Sequence, residues 1–297
     1  MPPSSMKPAV PLWLALVVAG ACRSPDPLER ALELERSGAV VPAEEAFREA
    51  IATRPADLEV RRRYAAFLAA TGRPDPAARE LEEALRRSPS DVPTLLLAAD
   101  LDREAKRFAR AADRVQRARQ TAPRDPRPLV AQGRLDLARG APDRAIAAWR
   151  EALRLDPGHA EAYRRLGTQR LAAKDPAGAA ADFRRAVALD PEDAVSLSGL
   201  ADAALAVGDR VEAIDAVRRL TGVRPEDAAT FRRLADLLLA EREWEGSMRA
   251  YWQARAIDPT LPGVDQGIFH ATEGLSRQQE GEANARRPQS PPPVRVR

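Results

Sequence analysis

Few residues of this chain are equipped for covalent or metal chemistry. Cys22 is the only cysteine among 297 residues, so no disulfide can form within the chain. It follows Ala19, Gly20 and Ala21. Before these lies the apolar run Ala9 to Ala19, broken only by Pro11 and preceded by the single cation Lys7. That is the order of a cleavable export signal, with Cys22 at the cleavage point. The 14 residues from Ala9 to Cys22 fall short of the roughly 20 that a helix needs to cross a bilayer, so residues 1–21 read as a signal peptide and not as a permanent span. His159 and His270 stand apart from any cysteine or carboxylate pattern spaced for a metal, and neither a G-x-S-x-G elbow nor a glycine-rich phosphate loop occurs. No enzyme activity, cofactor or metal site is expected.

What remains is non-covalent recognition, and the residues available for it follow a period. Pro55, Pro89, Pro123, Pro157, Pro191, Pro225 and Pro259 stand 34 residues apart without a slip. A fixed period of this size marks one supersecondary unit stacked on copies of itself. Twelve residues before each proline come Ala43, Ala77, Ala111, Ala145, Ala179, Ala213 and Ser247. Eight before come Phe47, Leu81, Val115, Trp149, Phe183, Val217 and Tyr251. Five before, the column is alanine except for Leu220; twenty-four before, it is Ala31, Ala65, Ala99, Gly133, Gly167, Ala201 and Ala235.

These columns describe a pair of antiparallel helices. Small residues let two backbones approach, and the large column inserts a side chain into the groove they form. The turn within each pair falls seventeen residues before the proline, at Gly38, Gly72, Gly140 and Gly208, with Lys106, Lys174 and Arg242 in the same place elsewhere. The proline stops the second helix. Asp57, Asp91, Asp125, Asp193 and Asp227 then cap the next helix, a column broken by His159 and Leu261, and Pro93 and Pro126 are expected in first turns.

The small, glycine or alanine, alanine, aromatic, alanine and proline columns resemble the tetratricopeptide repeat. The resemblance implies an all-α solenoid of about seven helix-turn-helix repeats, residues 28–261, wound into a right-handed superhelix. A capping helix is expected at 262–283, where Val264, Ile268 and Leu275 share one face. It also implies a protein or peptide partner in a concave groove lined by the first helix of each pair. The positions carried over are Arg62, Asp100, Arg103, Arg134, Arg164, Thr168, Asp202, Arg232 and Asp236, with the column Leu137, Leu171, Leu205 and Leu239 as an apolar strip. The alternative is that the leucines are core and the charges a solvated, paired face. The asparagine and lysine clamp of tetratricopeptide co-chaperones is absent, since the only asparagine is Asn284 and the only lysines are Lys7, Lys106 and Lys174. An anion bound in this groove would fall to arginine.

Ala19-Gly20-Ala21-Cys22 resembles the lipobox of bacterial lipoproteins, which implies lipidation of Cys22; the alternative is an ordinary cleavage site beside a bare cysteine. Two or more acyl chains anchor firmly, at about 0.8 kcal/mol per buried CH₂. Residues 22–27 leave a linker of at most about 17 Å, which starts the array close to the bilayer. By the same resemblance Arg23 implies the outer membrane, facing the periplasm.

The chain carries 47 basic and 44 acidic residues, but Lys7 and the four arginines of the tail account for the excess, leaving a body at −2. No nucleic-acid partner is expected, because aromatics are few and the body is not basic. Residues 284–297 form a Pro/Arg-rich tail that reads as disordered. Taken together, the expectation is an envelope scaffold that resembles the tetratricopeptide lipoproteins assisting type IV pilus secretin assembly. The alternatives are an accessory lipoprotein of exopolysaccharide export or cell-wall turnover, and a structural spacer without a tight ligand.

Overall fold

The computed structural model describes residues 26–285; the expected signal peptide, the expected lipidation at Cys22 and the expected tail from residue 286 onward lie outside them. Among the described residues there are fifteen α-helices and no strand. They fall into two compact units. The first holds α1 (Pro27–Arg36), α2 (Val40–Thr53), α3 (Leu58–Ala70), α4 (Pro74–Arg87), α5 (Val92–Glu104) and α6 (Phe108–Thr121). The second holds α7 (Arg127–Ala138), α8 (Pro142–Leu155), α9 (Ala160–Ala172), α10 (Pro176–Leu189), α11 (Ala194–Val207), α12 (Arg210–Val223), α13 (Ala228–Ala240), α14 (Trp244–Ile257) and α15 (Val264–Ala285). Within each unit the odd-numbered helix packs on the even-numbered helix that follows it, and each pair stacks on the next.

The helix ends follow the expected chemistry. Each second helix stops two residues before its proline. Asp57 accepts from the Glu59 amide at 2.9 Å, Asp91 from Thr94 at 3.0 Å, Asp193 from Val195 at 3.3 Å and Asp227 from Ala229 at 3.1 Å. Asp125 accepts from the Arg127 amide, but Pro126 sits at the N-cap of α7 and not within its first turn as the sequence reading expects. Its fixed φ still leads into the helix, so the proline costs no hydrogen bond there.

All seven turn residues are left-handed: Gly38, Gly72, Gly140 and Gly208 at φ 76°, 76°, 74° and 85°, and Lys106, Lys174 and Arg242 at 57°, 61° and 60°. A side chain is strained in that region, and glycine relieves the strain at some cost in unfolded-chain entropy. Lys174→Gly is therefore expected to raise the unfolding free energy by about 0.5–1 kcal/mol. A denaturant melt checks it, and an unchanged or lower midpoint would contradict it.

The repeat columns form the core. Ala43, Ala77, Ala145, Ala179 and Ala213 are fully buried, as are the large side chains Phe47, Trp149 and Val217. Where alanine gives way to Ser247, the buried hydroxyl donates to the Ala235 carbonyl at 2.9 Å and so stays satisfied. Aromatic size is matched by glycine opposite. A β-carbon on Gly133 would overlap the Trp149 ring, one on Gly199 the Phe183 ring, and one on Gly267 the Tyr251 ring. Trp149 donates its indole N–H to the Val130 carbonyl at 3.2 Å.

At two further columns, 21 and 9 residues before the proline, two of the repeats pair opposite charges, with the sign reversed between them and the aspartate buried in both. In the third repeat Asp102 on α5 pairs with Arg114 on α6 at 2.6 Å; in the fifth, Arg170 on α9 pairs with Asp182 on α10 at 3.1 Å. Burial pushes the Asp182 carboxyl above its ordinary range, against the pull of Arg170 and Arg150. In the seventh repeat the same two places hold the buried apolar residues Leu238 and Ala250.

The capping helix begins at Val264 and runs to Ala285, in place of the expected 262–283. It is the first helix of an eighth unit in register, since Val264 and Ala271 are buried 34 residues after Thr230 and Leu237. Ser276 stands where Arg242 turns the chain one unit earlier, and without a left-handed residue there the helix continues.

Candidate interaction face

The first helix of each pair presents the residues singled out for recognition, and four of the five arginines among them, Arg62, Arg134, Arg164 and Arg232, reach into the next repeat. In the first unit Arg62 bonds Glu59 at 2.6 Å and the helix cap Asp91 at 2.7 Å. Arg103 lies 3.4 Å from Asp100 and 3.0 Å from Glu104. In the second unit Arg134 meets Glu161 at 2.8 Å, and Arg164 meets the helix cap Asp193 at 3.3 Å. Arg232 donates to the Pro262 carbonyl at 2.9 Å. Arg62–Asp91 and Arg164–Asp193 are the same pair of columns, 29 residues apart. Burial raises the Glu161 carboxyl, but Arg134, Arg165 and Arg164 outweigh that effect and hold it below its ordinary range. Arg62, Arg134, Arg164 and Arg232 thus tie consecutive helix pairs together, whereas Arg103 stays within its own helix.

The leucine column divides. Leu137, Leu171 and Leu239 are half-buried against the core clusters, whereas Leu205 is exposed. Asp236 accepts from the Tyr251 hydroxyl at 2.5 Å, and burial together with this bond pushes the phenol well above its usual range.

Three of the residues picked from sequence converge. Thr168 and Leu171 on α9 and Asp202 on α11 line a hollow of about 330 Å³ between these two first helices. The edge of the Phe183 ring of α10 also lines it, beside Gly199 of α11, which places no side chain over the ring. Val195, 48% exposed, and Ser198 line it from α11. Thr168 donates to its own helix at the Arg164 carbonyl, and Asp202 accepts from Arg233 at 2.5 Å. The hollow can take an apolar side chain against Leu171, Val195 and the edge of Phe183, with the Ser198 hydroxyl, the Asp202 carboxylate and the cation Arg224 to orient polar groups beside it. Sequence reasoning missed Val195, Ser198, Phe183 and Gly199. The signal was the loss of charge at two columns, where Glu161 and Arg164 become Val195 and Ser198 one repeat later.

Among the described residues no group of three His, Cys, Asp or Glu side chains could hold a metal ion, and no helix is long and apolar enough to cross a membrane.

Three family profiles, each described as tetratricopeptide repeat, match residues 58–101, 130–194 and 170–238. No curated protein matches the sequence. Among solved structures, yeast Tom70 aligns with 90% of this chain at 15% identity and a TM-score of 0.64, the chain spanning 58% of Tom70. The pilF protein of Pseudomonas aeruginosa aligns with 74% of this chain and 97% of its own at 17% identity and a TM-score of 0.55. A thermophilic repeat protein of Thermus thermophilus aligns with 62% of this chain and 100% of its own at 22% identity and a TM-score of 0.52. At these identities the likeness is one of fold.

Proposed function

The chain is a tetratricopeptide-repeat α-solenoid, and from that premise we propose that it is a non-enzymatic interaction scaffold of the bacterial envelope. In this reading a lipid on Cys22 holds it at the membrane, and its partners are the proteins of a secretion or type IV pilus complex whose assembly it assists. The observation that carries the scaffold reading is the hollow between α9 and α11, where apolar surface stays open on a helix face whose charges are otherwise paired within the array. The envelope reading rests on Ala19-Gly20-Ala21-Cys22. The assembly reading rests on the lipoprotein resemblance and draws support from the likeness of fold to pilF. Anchoring in the membrane plane would raise the effective concentration of any docked partner.

A spacer that binds nothing tightly is the second reading. It is favoured by the engagement of Arg62, Arg134, Arg164 and Arg232 with neighbouring repeats. Affinity capture from membranes separates the two, using wild type, Cys22→Ser and the double variant Leu171→Asp/Val195→Asp. The scaffold reading expects a defined partner with wild type, its loss with the double variant at unchanged helicity, and a shift of Cys22→Ser out of the membrane fraction. Equal capture by the double variant would remove the hollow from the scaffold reading, and an unshifted Cys22→Ser would remove the anchor.

A further inference from the structure

The body of the chain is close to neutral, yet charge is concentrated on α6 and the turn before it. Between Lys106 and Arg119 there are six basic residues and one acid, Asp113. Arg110, Arg114 and Arg117, spaced i, i+4 and i+7, share one face of α6. Together with Arg86 of α4 they line a groove of about 520 Å³ between the second helices of two consecutive repeats, in which the only acids are Glu82 and Asp113. This groove lies in the first unit and owes nothing to the hollow described above.

The arginines play unequal parts. Arg114 is the buried floor, held by the Ala98 carbonyl at 2.9 Å, by Asp102 at 2.6 Å and by Glu82. Arg86, Arg110 and Arg117 are 72%, 56% and 42% exposed. Arg110 gives one bond to Glu82 and lies 3.7 Å from Asp102, Arg117 gives one to the Pro89 carbonyl and lies 3.8 Å from Asp113, and Arg86 pairs with Glu83. Each guanidinium has five N–H donors, so most donors of these three remain open to a ligand. A carboxylate offers two oxygens and satisfies one fork; a phosphate group offers enough to bridge several. No aromatic side chain lines the groove, which leaves nothing for a nucleobase to stack on.

We propose that the α4–α6 groove is a phosphate-binding site, in which Arg86, Arg110 and Arg117 grip the phosphate group of a ligand above the fixed Arg114. The group could be a phospholipid headgroup or a free phosphate, and one experiment separates them. Full-length Cys22→Ser protein, which has no acyl anchor, is sedimented with vesicles of phosphatidylglycerol and phosphatidylcholine, with and without inorganic phosphate as competitor. The site expects binding that falls about tenfold or more in Arg86→Gln/Arg110→Gln/Arg117→Gln, and by a smaller factor when the same three are changed to lysine, because lysine keeps charge without the fork. Displacement by inorganic phosphate assigns the site to free phosphate; resistance to it assigns the site to the lipid headgroup. Wild-type binding by the glutamine variant, or equal binding by the lysine variant, would overturn the proposal. So would tighter binding of an oligonucleotide than of the vesicles.

Discussion

Replacing Asp102 by leucine is expected to lower the unfolding free energy by about 3 kcal/mol, although leucine is the better core residue. The reason is the partner left behind. Asp102 is 2% exposed and Arg114 9%, and they meet at 2.6 Å. Removing the carboxylate strands a buried guanidinium that keeps only the Ala98 carbonyl and Glu82. It also frees Arg107, which lies 2.8 Å from the same carboxylate but is more exposed and loses less. The chain itself supplies the remedy, because Leu238 and Ala250 fill the equivalent places in the seventh repeat and Ala204 and Ala216 fill them in the sixth. Asp102→Leu/Arg114→Ala is therefore expected to lie within about 1.5 kcal/mol of wild type, giving a large coupling energy in a double-mutant cycle. Additive losses would show that the two columns do not face one another.

The second large effect is expected from a single methyl group. Gly199→Ala adds a β-carbon that would overlap the Phe183 ring, and with Phe183 2% exposed the ring is packed on nearly every side. Alanine is the better helix former by roughly 0.5–1 kcal/mol, so a surface glycine would gain from the change. Here overpacking wins, and a net loss of about 1–3 kcal/mol is expected. Phe183→Leu in the same background should restore part of it by withdrawing the ring, whereas Phe183→Leu alone should cost stability. A gain in stability for Gly199→Ala would contradict the packing of α10 against α11.

The helix pairs were legible because every repeat states the same instruction. The left-handed turn was legible even at Lys106, Lys174 and Arg242, where residue type argues against it, because register placed them with Gly38 and Gly208. The glycines at positions 133 and 167 were read only as small; their pairing with Trp149 and Phe183 needs the distance between two helices, which a column of residue types does not contain. Arg62 and Arg164 were assigned to an open groove, and the structure engages them with Asp91 and Asp193. The repeated 29-residue offset carried that information, but charge on a helix face looks the same in sequence whether a partner protein or the next repeat receives it. The basic face of α6 was hidden by averaging, since a body charge of −2 says nothing of one helix with six cations around it.

The scaffold claim is tested most directly by site-specific photocrosslinking in intact cells. A photoreactive residue is placed in turn at Leu171, at Val195 and at the exposed Trp252 of α14, outside the hollow. A partner seated in the hollow gives one protein adduct from positions 171 and 195 and none from 252. Adducts of equal yield from all three positions, or none from the hollow in cells where the protein is abundant, would contradict the claim.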